Sequence, residues 1–169
     1  MKQKHEILFT PVRVGGVTVK NRFVHAPMEG TTPINWYAGF KFNEGSREYL
    51  VERAKNGVGL IIPGITCVKS LMGNKWLYQS EKMFMGPIHD LMEEIHGYGS
   101  KFFLQIGAGF GRVLVMPKEL KKVMNNKVLG KMIGTDKLLV AASDNMPNVW
   151  DPNVLQRAMT EEEIQDIIQ

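Results

Sequence analysis

NEGSREYLVERAKNGVGLIIPG, residues 43–64, decides the fold, because it reads as an amphipathic helix, a turn and a buried strand in direct succession. Asn43 starts the helix. Leu50, Val51 and Ala54 form its apolar face, Arg47, Glu48, Glu52, Arg53 and Lys55 its wet face, and Gly57 after Asn56 stops it. The run VGLII at 58–62 is apolar throughout, of strand length, and bounded by Gly57 and by Pro63 with Gly64. That is the pattern of a parallel strand covered on both faces.

Working outward, the same grammar repeats. Upstream, two short alternating segments at 11–14 and 17–19 flank Gly15 and Gly16, the signature of a tight hairpin. A first buried strand follows at 22–26, closed by Pro27, and residues 31–42 form a long aromatic, turn-rich loop. Downstream, a loop rich in Gly, Asn, Trp and Tyr runs from 69 to about 86. The spacing then predicts a helix over 88–96 with Leu91, Met92 and Ile95 inward, stopped by Gly97 and Gly99, and a third strand, KFFLQI, at 101–106. A long insertion at 107–159 has helical character at 118–132, a short strand at 137–141 and the turn-rich PNVWDPNV at 147–154. Thr160 with Glu163 makes a capping box, and Ile164, Ile167 and Ile168 begin an apolar face a few residues before Gln169, so the reading expects a chain cut off within an element.

Strand, loop, helix, strand is the order of right-handed βαβ units. The long loops all follow strands and the connections after helices are short, which is how a (β/α)8 barrel places function at one face. A whole barrel needs eight strands and about 250 residues, and three strands are found here. The expected fold class is therefore α/β: an incomplete (β/α)8 TIM barrel, its first three βα units preceded by an N-terminal β-hairpin, with residues 1–169 as the N-terminal portion of one truncated domain.

Composition narrows the function. With 44% hydrophobic and 22% charged residues the chain has ordinary globular character, so disorder is not expected. A net charge of +4 is too small to argue for nucleic acid, and much of it is local, in Lys118, Lys121, Lys122, Lys127, Lys131 and Lys137. Neither a membrane-spanning run nor an apolar signal core is present, which makes the expected location cytoplasmic. Cys67, the single cysteine, excludes an internal disulfide and a multi-cysteine metal site built from this chain alone, and is read as a buried, inert thiol.

Three clusters sit at the mouths of the three strands. In HAPMEG, 25–30, Pro27 fixes the backbone so that the amides of Met28 and Glu29 can face a ligand, and the Met28 thioether offers a polarizable wall to a flat ring. A strand end with a core methionine explains it too. In IIPGITCV, 61–68, Gly64 permits a close backbone approach and Thr66 can satisfy a polar group, although an ordinary turn does as well. In QIGAGFGR, 105–112, a Gln at the end of an apolar strand is costly unless its amide is paired; its donors and acceptor match the alternating edge of a flavin pyrimidine, or neighbouring backbone. Gly107, Gly109 and Gly111 imitate a dinucleotide fingerprint, but in a GxGxG rhythm with no helix starting at the third glycine, so a Rossmann-type nucleotide-binding module is the weaker alternative.

Taken in order, LFTPVRVGGVTVKNRFVHAPM, GLIIPGITCV, FFLQIGAGFGR, PNVWDP and MTEEEI resemble the N-terminal part of the Old Yellow Enzyme and NADH:flavin oxidoreductase family, nearest its enoate reductase and 2,4-dienoyl-CoA reductase branch. The resemblance implies an FMN-dependent NAD(P)H oxidoreductase of ene-reductase type, acting on small α,β-unsaturated carbonyl compounds or thioesters. Ala26, Pro27, Met28 and Glu29 would line the flavin near its dimethylbenzene and N5 side, Gly64 or Ile65 would meet it from the second strand, and Gln105 would hold its pyrimidine edge. Two departures stand out: Glu29 occupies a position where the family more often has a small residue, and GAGFGR replaces HAGR. A carboxylate near N5 would disfavour the anionic reduced flavin.

By the same resemblance the substrate-activating His pair or His/Asn, the proton-donating Tyr, the flavin phosphate site and the cysteines of the iron–sulfur cluster found in the longer branch all lie beyond Gln169, and no metal site is expected within the chain. His25, His89 and His96 do not replace them: the latter two fall on a solvated helix, and His25 reads as a paired core histidine. The chain alone is thus expected to be inactive. A non-catalytic subunit or fragment needing a partner chain, or associating with itself, is the other reading, and the lysine-rich insertion would suit the phosphates of a CoA thioester.

Overall fold

The computed structural model describes residues 3–28, 30–35, 41–67, 81–107, 112, 128 and 140–168. It divides into two compact units, Met1–Val68 with Trp76–Gly107, and Lys69–Lys75 with Ala108–Gln169.

In the first unit a 3-10 turn, Gln3–Phe9, leads into β1 (Val12–Val14) and β2 (Val17–Val19), paired antiparallel with Val14 opposite Val17 across Gly15 and Gly16. Next come β3 (Val24–His25), β4 (Ile34–Asn35) and β5 (Lys41–Phe42). β4 and β5 pair antiparallel, which corrects the loop expected over 31–42: the described part of that loop carries a small ladder.

Helix α1, Glu44–Lys55, begins where the sequence places it, because the Asn43 carboxamide oxygen accepts from the Ser46 N–H at 3.2 Å. Arg53 and Lys55 sit in the last turn, where cations suit the carbonyl end. Gly57, at φ 91°, closes the helix: its N–H reaches the Ala54 carbonyl, and the Val58 N–H reaches that of Arg53, both at 3.1 Å. That pair of bonds satisfies carbonyls the helix leaves open. Leu50, Val51 and Ala54 are buried, as the apolar face requires.

β6 (Leu60–Ile61) follows, then β7 (Thr66–Cys67). Successive strand residues face opposite sides, and Leu60 and Ile61 are both buried. The expected loop from 69 to about 86 ends earlier than its composition suggests, since a π-helical turn, Glu81–Met85, runs directly into α2, Gly86–Gly97. Ile88, Leu91 and Ile95 of α2 are buried and Met92 is half-buried.

The third strand is also corrected: it is two short pieces, β8 (Lys101–Phe102) and β9 (Ile106–Gly107). β3, β6 and β8 form a parallel sheet in that spatial order, with His25 opposite Ile61 and Ile61 opposite Phe102, while β7 and β9 pair parallel further along, Thr66 opposite Ile106. Between these two patches the second strand advances from Ile61 to Thr66 and the third from Phe102 to Ile106, so the former carries one extra residue. Pro63 lies in that stretch and has no N–H to give a ladder. The break therefore falls where register and chemistry both interrupt pairing. Leu50, Val51, Ala54, Ile61, Leu91, Ile95 and Phe102 make one core cluster between the two helices and the sheet, and Ile34, Phe84 and Ile88 make a second.

The second unit has β10 (Val140–Ala141), β11 (Met146–Pro147), β12 (Leu155–Ala158) and α3 (Glu161–Ile168). β12 lies between the other two, parallel to β10 and antiparallel to β11. Neither β11 nor β12 was legible from hydrophobic alternation. The turn-rich 147–154 stretch is organised by the buried Asn148, whose oxygen accepts from the N–H groups of Trp150 and Asp151 at 2.9 and 3.2 Å. The capping box of α3 is formed as its sequence implies: Thr160 Oγ1 accepts from the Glu163 N–H at 3.2 Å, and the Glu163 carboxylate accepts from the Thr160 N–H at 2.9 Å. Glu163 also takes two hydrogen bonds from the Arg157 guanidinium, at 2.6 and 2.7 Å. The lysine cluster at 118–137 and the helix expected over 118–132 lie outside the described residues, apart from Val128, which is helical. No helix among the described residues is long and apolar enough to cross a membrane.

Candidate functional site

The C-terminal ends of the first two strands are in backbone contact. A Cβ on Gly64 would lie 2.5 Å from the Met28 carbonyl oxygen and 2.7 Å from Thr32 Oγ1, so a larger residue at 64 has no room. The Thr31 hydroxyl bridges the same junction, donating to the Met28 carbonyl at 2.8 Å and accepting from the Gly64 N–H at 2.9 Å. The second and third outlets are joined in turn by the Thr66 N–H, which donates to the Gln105 carbonyl at 2.8 Å. Met28 and Gly64 are thus linked through the Thr31 hydroxyl, and the second outlet is linked to Gln105 by a backbone bond from Thr66.

Ala26, Pro27 and Met28 are exposed along this edge, Met28 by half, while Gly64 is buried and Ile65 half-buried. Glu29 and the side chain of Cys67 lie outside the described residues, as do Gly109 and Gly111. Gln105 corrects one expectation: its side chain is exposed, so no desolvation cost forces its amide to pair within the chain. An exposed carboxamide carries two donors and an acceptor that a ligand can reach. Buried instead, with no hydrogen-bond partner, is the Thr66 hydroxyl, on a residue with no exposed surface. An orphaned buried hydroxyl costs free energy comparable to a lost hydrogen bond unless something binds it.

His25 is half-buried, its ring set edge-on against Tyr49 with centroids 5.6 Å apart. Nδ1 lies 3.4 Å from the Ile62 carbonyl and Nε2 is buried without a partner, so it is less completely paired than a core histidine is expected to be. His89 and His96 are exposed on α2. The residue sequence reasoning missed is Thr31, assigned only to a loop. Its back-bond to the carbonyl three residues earlier is a habit of Thr that sequence can suggest, but the bond to Gly64 depends on tertiary placement.

A family model described as the NADH:flavin oxidoreductase / NADH oxidase family matches residues 7–169. The chain is 32% identical over 174 aligned positions to a cinnamate reductase of Clostridium sporogenes, covering 99% of this chain and 23% of that protein. Among solved structures it is similar to a 2-naphthoyl-CoA reductase, with a TM-score of 0.66 and 22% identity, covering 98% of this chain and 24% of the other. It is also similar to the Old Yellow Enzyme of Pichia sp. AKU4542, with a TM-score of 0.64 and 22% identity, covering 95% and 39%. The chain therefore spans about a quarter of the length of the curated relative, and the structural likeness speaks for a shared α/β fold of the Old Yellow Enzyme TIM-barrel type. With the family model matched across nearly all its residues, this chain belongs to the NADH:flavin oxidoreductase / NADH oxidase family.

Proposed function

We propose that this chain supplies the first three βα units of an FMN-binding (β/α)8 barrel, and that the protein reduces alkenes conjugated to a carbonyl or thioester at the expense of NAD(P)H. The observation that carries the reading is the junction of Met28, Gly64 and Gln105 at the outlets of three neighbouring parallel strands. Ligand chemistry in barrels of this kind belongs at that face.

The donor set fits a flavin. Ala26, Pro27 and Met28 present an exposed, largely apolar edge suited to one side of a flat ring, and Gly64, lacking a side chain, lets the second outlet close against the Met28 carbonyl. The exposed Gln105 carboxamide offers two donors and an acceptor to a pyrimidine edge. When bound there, FMN would supply hydride transfer between the nicotinamide and the activated alkene. The chain's own residues would hold and orient the ring. Cinnamate, an aryl-substituted enoate, is the first substrate to test, since the curated relative is a cinnamate reductase. Proton donation, carbonyl polarisation and any iron–sulfur ligands would come from outside these residues, and a cytoplasmic location suits the reading.

Family membership favours this over a Rossmann-type module. A second reading, in which the chain pairs with a partner chain or with itself, draws on the exposure of Val24 on β3 and Ile106 on β9, 52% and 63%, since uncovered apolar strand residues invite pairing.

The test is flavin content and turnover of the intact protein with NADH and cinnamate, beside the Gln105→Leu variant and the 169-residue chain alone. Bound FMN, an affinity lowered about tenfold or more in the variant for a lost set of ligand hydrogen bonds, and no turnover by the isolated chain are expected. A protein without flavin, or turnover by the 169-residue chain, contradicts it.

A further inference from the structure

We infer that Thr31 is a positioning residue whose hydroxyl fixes the spacing between the first two strand outlets, and so governs how tightly the flavin is held; the inference rests on the flavin reading above. Thr31 is buried, 4% exposed, and its side chain makes two bonds across the junction, one to the Met28 carbonyl and one from the Gly64 N–H. Its own N–H returns to the same Met28 carbonyl at 3.2 Å, so a single residue grips that oxygen twice. Behind the segment, the buried Ser46 of α1 donates its hydroxyl to the Gly30 carbonyl at 3.1 Å. The short turn carrying Met28 is therefore held from α1 on one side and from the second outlet on the other.

The junction is confined from both directions. Gly64 is already so close to the Met28 oxygen and to Thr32 that the two backbones cannot approach further, and the Thr31 hydroxyl stops them from parting. Thr31→Val keeps the shape of the side chain but removes that bridge, leaving the buried Gly64 N–H without its acceptor. A buried donor left without a partner drives the backbone to rearrange. Thr31→Ser keeps the hydroxyl.

The experiment measures FMN affinity and the shape of the visible flavin bands in the intact protein. Thr31→Val is compared with Thr31→Ser and with Ser100→Ala. Ser100 is fully buried and donates to the Val58 carbonyl at 2.6 Å, just before the sheet's second and third strands, so its loss removes a comparable hydroxyl at the opposite end. Thr31→Val is expected to weaken FMN binding about tenfold and to alter the bands, with Thr31→Ser close to the unaltered protein and Ser100→Ala lowering only the melting temperature. If Thr31→Val and Ser100→Ala melt earlier alike while both keep their FMN affinity, the inference is overturned. Should Thr31→Val fail to fold, amide exchange at Gly64 in the unaltered protein decides instead: slow exchange with and without FMN supports a preset bridge, and fast exchange without FMN overturns it. Failure of the unaltered protein to bind FMN would overturn the flavin reading together with this inference, whereas unchanged affinity in Thr31→Val overturns the inference alone.

Discussion

The described residues of the two units are held by different physics. In the first, Leu50, Ile61, Leu91 and Ile95 have no exposed surface and pack helices against sheet. In the second, among the described residues, α3 buries no residue and the buried side chains include Asn148 and Gln156. Across 140–168 directed bonds recur: Asn148 to two backbone N–H groups, Asp144 to the Ala158 N–H at 2.7 Å, and Arg157 to Glu163. Apolar burial is non-directional and indifferent to pH, whereas charge-assisted bonds are neither. The candidate flavin face lies on the first unit, where the directed bonds of Thr31 and Thr66 join strand outlets of a sheet that the apolar core supports.

That contrast can be broken from either side. The largest effect should come from Leu91→Ala, which empties a fully buried position and should destabilise the first unit by about 2–5 kcal/mol; urea denaturation measures it, and a cost below about 1 kcal/mol would mean that the helices do not carry the core. The smallest should come from Glu163. The Arg157 guanidinium bonded to it, opposed by partial desolvation and aided by the Thr160 N–H, holds its carboxyl down from 4.5 to about 2. A depressed carboxylate contributes stability that is full above its unfolded value and is lost as pH falls through its folded value, so the contribution should fade between about pH 4.5 and 2. Both partners are about a third exposed, which screens the pair to about 1 kcal/mol or less. A Glu163→Gln variant should lose less α3 helicity than the unaltered protein across that window, as followed by the α3 resonances; equal losses would remove the pair from the account.

Much of the first unit is legible because its signals are local. Asn43, the Leu50, Val51 and Ala54 stripe and Gly57 bound α1 by capping and periodicity alone. The start of α2 is not legible in this way: Gly86 and Pro87 read as a loop end and a first turn, while the Glu81–Met85 turn ahead of them carries no cap signal. The break in the third strand is invisible from KFFLQI itself, because its cause is the extra residue in the partner strand. β12 hides for a related reason, since LQRA buries a Gln and exposes a Leu, against the usual alternation. At the candidate site, residue types at 26–28, 64 and 105 could be picked from sequence through the resemblance, but the Thr31 bridge and the exposure of Gln105 depend on which backbones meet, and single-chain patterning does not carry that.

The most direct test of the central claim is a crystal structure of the intact protein with FMN bound. The account expects Met28 and Gly64 against one isoalloxazine ring and the Gln105 carboxamide within hydrogen-bonding distance of its pyrimidine edge. A ring seated away from these three outlets, or a Gln105 side chain turned from it, would contradict the account.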